Sequence, residues 1–204
     1  MREMLAGTPV VPVMVIKRLE DAVPLARALV DGGLNILEVT LRTEVALAAI
    51  AEIVREVPQA IVGSGTVCNA QQMAQSVDAG CQFMVSPGTT EKLLDDAKKS
   101  PIPLLPGISS VGELMRCQEY GYRDMKFFPA EASGGAAAIK AISGPFGDIK
   151  FCPTGGIGMG NVMSYLQMPN IMCVGGSWIC PDNLIEQKNW TEIERLTAQA
   201  AALR

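Results

Sequence analysis

Eight short apolar runs recur along the chain at nearly even spacing. Successive runs begin roughly 20 to 26 residues apart, which is the length of one strand, one helix and two short loops. The runs cover residues 10–16, 36–41, 60–66, 83–86, 102–108, 125–128, 149–153 and 171–174. Between them, Asn69 can cap a helix that stops before Gly80, and Ser110 has a glutamate at capping-box spacing. The sequence therefore predicts eight β-then-α units.

Eight parallel strands are the number that closes a (β/α)8 TIM barrel, and 204 residues lie at the lower end for that fold. The alternative is an open, doubly wound sheet, but no Gly-x-Gly-x-x-Gly follows the first run, where a dinucleotide-binding sheet would carry it. No linker divides the chain, and a hydrophobic content of 49% suits a large core. We predict one α/β barrel domain over residues 1–204.

The composition excludes several classes of function. A net charge of -4 without a Lys/Arg-rich run gives no electrostatic footprint for nucleic acid, and the first apolar run is too short to cross a bilayer. We therefore expect a cytoplasmic protein with neither nucleic acid nor membrane as partner. The chain has no histidine, which removes Ser-His-Asp triads, histidine bases and histidine-ligated metals. We expect no metal or other cofactor, and the six cysteines, none in a Cys-x-x-Cys pair, are expected to be reduced core thiols.

The second apolar run carries charged residues at its carboxyl end, where barrel enzymes build their active sites. Glu38, Thr40 and Arg42 alternate with apolar residues and so share the face that points into the barrel. Two interpretations stay open for Glu38 and Arg42. They form an internal salt bridge that satisfies both groups, or they belong to a reactive site.

Lys126 lies inside the sixth apolar run, and two orientations are open to it. Pointing outward, it is an ordinary surface lysine whose stem covers apolar neighbours. Pointing inward, it joins Glu38 and Arg42 at the barrel mouth, with Phe128 as a wall of the pocket. Desolvation and the charge of Arg42 would there favour the neutral amine, which attacks a carbonyl carbon to form a Schiff base.

Glycine-rich turns follow the seventh and eighth runs, at the two positions where barrels commonly bind phosphate. Thr154-Gly155-Gly156 and Gly176-Ser177 offer backbone N–H groups there, with the Ser177 hydroxyl as a further donor. A single glycine turn is equally well explained by a need for positive φ, but two in these positions favour a phosphate site.

Several motifs in order resemble those of one enzyme family. They are LEVTLRTE at residues 37–44, GSGTV at 63–67, SPG at 86–88, PLLPGIS at 103–109, KFFPAEASGG at 126–135, FCPTGGIG at 151–158 and GGSW at 175–178. Together they resemble the bacterial 2-keto-3-deoxy-6-phosphogluconate (KDPG) aldolases of the KDPG/KHG family. The resemblance implies a class I aldolase of the Entner-Doudoroff pathway, assembled as a homotrimer. Such an enzyme cleaves 2-dehydro-3-deoxy-6-phospho-D-gluconate to pyruvate and D-glyceraldehyde 3-phosphate.

The resemblance also implies a role for each site residue. Lys126 would form the Schiff base and Glu38 would transfer protons. Arg42 and Thr66 would hold the pyruvate carboxylate, with Pro87 beside the substrate. The phosphate contacts would be Thr154, Gly155, Gly156, Gly176 and Ser177.

Other functions fit the same residues. A sugar-phosphate isomerase or epimerase would use Glu38 as an enolisation base with Lys126 as an electrostatic partner, and a non-catalytic barrel would only sense a phosphorylated metabolite. Within the aldolases, 4-hydroxy-2-oxoglutarate, oxaloacetate and the galactonate series are alternative substrates.

Overall fold

The structure is a computed structural model that describes residues 1–203. Its strands are β1 (Val10–Met14), β2 (Ile36–Thr40), β3 (Ile61–Gly65), β4 (Phe83–Val85), β5 (Leu104–Leu105), β6 (Gly107–Ile108), β7 (Asp124–Phe127), β8 (Lys150–Pro153) and β9 (Val174–Gly176). Its helices are α1 (Arg2–Leu5), α2 (Ala22–Asp31), α3 (Ala46–Glu56), α4 (Ala70–Asp78), α5 (Glu91–Ala97), α6 (Val111–Glu119), α7 (Gly135–Ser143), α8 (Val162–Leu166), α9 (Asp182–Glu186) and α10 (Trp190–Ala201). Strands and helices alternate, which confirms the predicted α/β class.

The paired strands are parallel and form two sheets. A curled six-stranded sheet has the order β5-β4-β3-β2-β1-β9, and a three-stranded sheet has the order β6-β7-β8. Only Pro106 separates β5 from β6 along the chain. Two isolated parallel bridges, Phe151–Ile171 and Thr154–Gly175, connect β8 with the segment that contains β9.

Six predicted strands agree with the observed ones to within two residues at each end, and the other two differ more. The fifth run, residues 102–108, is divided at Pro106, because proline has no N–H to donate to a sheet ladder. The last strand begins at Val174 rather than Ile171 and includes Gly175 and also Gly176, which was predicted to lie in the turn. Residue 175 has no room for a larger side chain, because the side chain of Thr154 fills the space that a Cβ would need.

The helix caps form as predicted. The Asn69 side chain accepts a hydrogen bond from the backbone N–H of Gln72, and Ser110 and Glu113 form a complete capping box. Each interaction satisfies N–H groups that the first helical turn cannot pair. The helices of the β-then-α units therefore begin at fixed points.

Side chains of β2 divide between two apolar clusters, as the period of two requires. Leu37 and Val39 pack in the cluster between strands and helices, while Ile36 belongs to a second cluster with Val11, Phe83 and other strand residues. Glu38 and Thr40 lie on the same face as Ile36, and both are buried. This inner face brings the polar residues of the strand ends together.

Two further expectations concern the burial of the cysteines and the absence of a membrane-spanning segment. Five cysteines are buried, unbridged thiols as expected, whereas Cys68 is an unbridged thiol at the surface, so the expectation of a core position is wrong for Cys68. No helix within the described residues has the length and apolarity that a membrane crossing requires.

Candidate active site

Lys126 and Glu38 form an ion pair at the centre of the site. The Lys126 Nζ lies 3.3 Å from Glu38 Oε1, and the residues are only 5% and 4% exposed. Lys126 therefore points inward, and of the two orientations open in the sequence the outward one is wrong. Glu38 contacts Lys126 rather than Arg42, so the internal Glu38–Arg42 salt bridge does not form among the described residues.

Small residues and one aromatic ring surround this pair. A Cβ at Gly65, the last residue of β3, would lie 2.8 Å from Cγ of Glu38. Gly107 is the register partner of Lys126 on the neighbouring strand. The Phe128 ring centroid is 5.2 Å from the Lys126 Nζ, within the range of a cation–π contact. Gly65 therefore leaves room for the Glu38 side chain, and Phe128 lies beside the Lys126 amine.

Arg42 follows the end of β2 and is exposed. Its Nε donates a hydrogen bond of 3.2 Å to Oγ1 of Thr40. Within residues 1–203, its two Nη nitrogens have no hydrogen-bond partner and no carboxylate at ion-pair distance. A guanidinium in this state presents a fork of donors that suits a bidentate contact with a carboxylate.

Thr66 and Pro87 lie on the strand ends beside the ion pair. Thr66 follows Gly65 and has a φ of 63°, a left-handed conformation that β-branched residues rarely adopt. The Pro87 backbone packs against Gly107, with its carbonyl oxygen 2.6 Å from where a Cβ of that glycine would be. The family resemblance assigned both residues to the site, but nothing in the sequence indicated the backbone conformation of Thr66.

The two glycine-rich turns predicted to bind phosphate lie side by side, since the Thr154–Gly175 bridge joins the strands that precede them. Gly155 and Gly156 have φ values of 104° and 77°, which explains the choice of glycine at both positions. Among the described residues, their N–H groups and that of Ser177 have no acceptor. The hydroxyl of Thr154 is buried without a hydrogen-bond partner in the same part of the structure. The turns can therefore supply several donors to an anion.

Three residues that the sequence analysis did not select shape the first of these turns. The backbone N–H of Glu131 donates to Gly155 O at 3.1 Å, and the Tyr165 hydroxyl donates to the Glu131 carboxylate. Asn161 Nδ2 donates to Gly156 O at 3.1 Å. Burial, and then the Glu131 carboxylate, raise the pKa of Tyr165, so its hydroxyl stays protonated as a donor. These contacts fix the carbonyl oxygens on one side of the turn.

The arrangement combines three chemical capacities. The buried amine can add to a carbonyl, and the carboxylate beside it can move protons. The guanidinium and the turn N–H groups can each bind an anionic group, one at either end of an extended molecule. A keto acid with a second anion at its far end matches this set.

Comparison with known proteins gives an independent result. Residues 1–196 match a family model described as KDPG and KHG aldolase. The chain is 58% identical over 194 residues to 2-dehydro-3-deoxy-phosphogluconate aldolase of Pseudoalteromonas atlantica, covering 95% of this chain and 90% of that protein. It is 54% identical over 192 residues to KHG/KDPG aldolase of Escherichia coli, covering 94% and 90%.

A solved structure is also similar to this chain. KDPG aldolase from Legionella pneumophila, with pyruvate captured at low pH as a covalent carbinolamine intermediate, superposes with a TM-score of 0.95 at 50% identity. The match covers 98% of this chain and 97% of that one.

Proposed function

The chain belongs to the KDPG and KHG aldolase family, and we propose that Lys126 and Glu38 carry its reaction. The protein is a carbon–carbon lyase that cleaves 2-dehydro-3-deoxy-6-phospho-D-gluconate to pyruvate and D-glyceraldehyde 3-phosphate. The isomerase or epimerase alternative is not favoured. The observation that supports the assignment of the reacting residues is the buried contact of 3.3 Å between the Lys126 amine and the Glu38 carboxylate.

The reaction begins when Glu38 takes a proton from the Lys126 ammonium, and the neutral amine then adds to the C2 ketone. A proton passes through water from the nitrogen to the oxygen to give the carbinolamine, and Glu38 returns its own proton to the hydroxyl, which leaves as water. The iminium that results is an electron sink. When Glu38 takes the proton of the C4 hydroxyl, the C3–C4 bond breaks, its electron pair forms the enamine, and glyceraldehyde 3-phosphate leaves. Glu38 then protonates the enamine carbon, and water hydrolyses the iminium, which releases pyruvate and returns Lys126 as the ammonium paired with the Glu38 carboxylate.

Binding at the two ends of the substrate aligns the bond that breaks. We assign the carboxylate to the free Nη nitrogens of Arg42 and the hydroxyl of Thr66, with Pro87 alongside. We assign the phosphate to the turns formed by Thr154, Gly155, Gly156, Gly176 and Ser177. Binding energy from the phosphate, which is remote from the reacting carbons, is then available to orient C3 and C4 over Lys126.

A second activity is cleavage of 4-hydroxy-2-oxoglutarate to pyruvate and glyoxylate. The name of the Escherichia coli relative includes KHG, and the pyruvate half of the mechanism is the same. Steady-state kinetics on phosphorylated and unphosphorylated 2-keto acids measure how much the two glycine-rich turns contribute to kcat/KM through the phosphate.

Borohydride reduction in the presence of pyruvate tests the assignment of Lys126. We expect a stable adduct, one per chain, that peptide mapping places on Lys126, and we expect Lys126→Met to lose the adduct and nearly all turnover. An adduct on another lysine would reject the assignment. Turnover of the substrate without any adduct would reject the Schiff-base mechanism, and absence of turnover on every 2-keto acid would favour a sensor.

We also propose how the domain and its assembly are organised. Pro106 alone separates β5 from β6, and two bridges connect β8 with the β9 segment, which supports closure of the two sheets into one (β/α)8 barrel over residues 1–204. We infer a homotrimer in the cytoplasm from the family resemblance. Light scattering of the purified protein measures the number of subunits.

A further inference from the structure

We propose that Thr40 is a positioning residue that holds the Arg42 guanidinium in the orientation that receives the substrate carboxylate. This inference rests on the proposed function, because it assigns the carboxylate to Arg42. Thr40 lies at the end of β2, two residues after Glu38, and is 2% exposed. It belongs to the inner face of the strand, but the mechanism above gives it no role.

The Thr40 hydroxyl connects Arg42 to the first strand. Its Oγ1 donates to the carbonyl oxygen of Met14 at 2.9 Å and accepts from Arg42 Nε at 3.2 Å. A hydroxyl has one proton to donate. Because the Met14 carbonyl takes that proton, the lone pairs of Oγ1 face the remaining donor, which is Arg42 Nε.

This anchor determines which donors of Arg42 stay available. The side chain is exposed beyond the end of β2, and a long exposed side chain loses considerable rotamer freedom when it is fixed. Fixing Nε on a buried hydroxyl orders the side chain before substrate arrives. It also leaves the four N–H groups on the two Nη nitrogens for a bidentate contact. Thr40 thus lowers the cost of ordering Arg42 when the carboxylate binds.

Thr43 provides a matched control three residues later. Its Oγ1 donates to the carbonyl oxygen of Ile16 at 2.6 Å, so it also connects the β2 end to the segment after β1. It makes no hydrogen bond to Arg42 within residues 1–203. Loss of the Thr43 hydroxyl therefore measures the structural effect of removing such a bond without disturbing the guanidinium.

The experiment compares four variants by the rate of borohydride trapping. Each protein is trapped with pyruvate and with hydroxyacetone, a ketone that lacks the carboxylate, and KM and kcat are measured for the phosphorylated substrate. We expect Thr40→Val to slow trapping of pyruvate about tenfold and to raise KM by a similar factor, because the hydrogen bond between the Thr40 hydroxyl and the charged Arg42 guanidinium is lost. Trapping of hydroxyacetone should stay within about twofold of wild type. Thr40→Ser should restore trapping of pyruvate, and Thr43→Val should match wild type with both ketones. Arg42→Lys should slow trapping of pyruvate only.

Three other outcomes would reject either the role of Thr40 or the function on which it rests. Equal slowing of both ketones by Thr40→Val would overturn the proposal, since it would indicate damage around Lys126 rather than a misplaced guanidinium. A defect in Arg42→Lys without one in Thr40→Val would also overturn it, while leaving the proposed function intact. No adduct in wild type would reject the proposed function itself. If Thr40→Val does not fold, Thr40→Ala removes the same hydroxyl without placing a methyl group against the Met14 carbonyl, and the same expectations apply.

Discussion

The Lys126 amine lies 3.3 Å from the Glu38 carboxylate although the two residues are 88 positions apart in the chain. Both side chains are almost completely buried. Each charge compensates the other in a place where an unpaired charge would be costly. Removal of either partner would therefore leave an uncompensated buried charge.

Breaking this pair should destabilise the protein. We expect Lys126→Met to lower the free energy of unfolding by about 3 kcal/mol, because it leaves a buried carboxylate without its partner. The double variant Lys126→Met/Glu38→Gln should recover much of that loss. Urea unfolding of both single variants and the double variant measures the coupling. Lys92→Met, which breaks an exposed pair with Asp96, should leave the unfolding midpoint unchanged. Additive losses in the double variant would contradict this account.

A side chain at Gly65 should displace the Glu38 carboxylate. The added Cβ of Gly65→Ala would meet Oε1 of Glu38 and lie 2.8 Å from its Cγ. We expect kcat to fall by about 10²-fold, the usual size of a lost proton-transfer contribution, with a smaller change in KM. Gly112→Ala is the control, because a Cβ there meets nothing within 4 Å. Full activity in Gly65→Ala would show that the position of Glu38 is not critical.

The turn at Thr154-Gly155-Gly156, which we propose binds phosphate, should tolerate no side chain at Gly156. A Cβ there would lie 2.7 Å from Cβ and Cγ of Glu131, and the φ of 77° disfavours any other residue. We expect Gly156→Ala to raise KM for the phosphorylated substrate about tenfold or more, while exchange of the pyruvate methyl protons, which needs no phosphate, continues. Gly158→Ala, where a Cβ meets nothing within 4 Å, should behave as wild type. Equal loss of both activities would place the turn in the pyruvate site instead.

Relief of the backbone strain at Thr66 should raise the stability of the protein and lower its activity. Thr66→Gly should raise the free energy of unfolding by about 1 kcal/mol and weaken trapping of pyruvate, because the left-handed strain is relieved and the hydroxyl is lost. The other described residue of this kind is Lys188, with a φ of 53°. Lys188→Gly should give a smaller gain in stability without any change in activity. Destabilisation by Thr66→Gly would indicate that contacts of its side chain outweigh the strain.

The buried thiols should make stability fall at alkaline pH. Burial raises the pKa of Cys81 to about 11 and that of Cys180 to about 12, from an ordinary value of 9.0. The folded protein therefore keeps these protons more tightly than the unfolded chain. The stability they contribute is fully present below about pH 9 and is lost as the pH rises toward 11 to 12.

Urea unfolding at pH 7 and pH 10 measures this loss. Cys180→Ala should make the difference between the two pH values smaller, whereas Cys68→Ala, which removes the exposed thiol, should not change it. In the native protein, a thiol reagent should modify Cys68 alone. Rapid modification of several thiols would contradict the buried assignment.

Local patterns predicted the parts of the site that depend on local rules. The period of two placed Glu38 and Thr40 on one face of β2, and the position of the turns after β8 and β9 indicated anion binding. The orientation of the Lys126 side chain was ambiguous, because the sequence of a strand that is buried on both faces does not indicate which face points inward. The register of β7 against its neighbours decides this, and that register depends on contacts distant in sequence.

Other features could not be predicted because they depend on tertiary contacts. The Thr40 hydroxyl is fixed by the Met14 carbonyl, 26 residues earlier in the chain. The left-handed conformation of Thr66 goes against the preference of its residue type, so only the surrounding structure can impose it. The interruption of the fifth strand has a local cause in Pro106, but Pro12 lies inside the unbroken β1, so a proline in an apolar run does not by itself predict a break.

Glu38 belongs to the six-stranded sheet and Lys126 to the three-stranded sheet. The acid and the nucleophile therefore come into contact only where the two sheets meet. Recovery of turnover after dilution from denaturant thus reports that this contact has formed, whereas recovery of helical ellipticity reports only secondary structure.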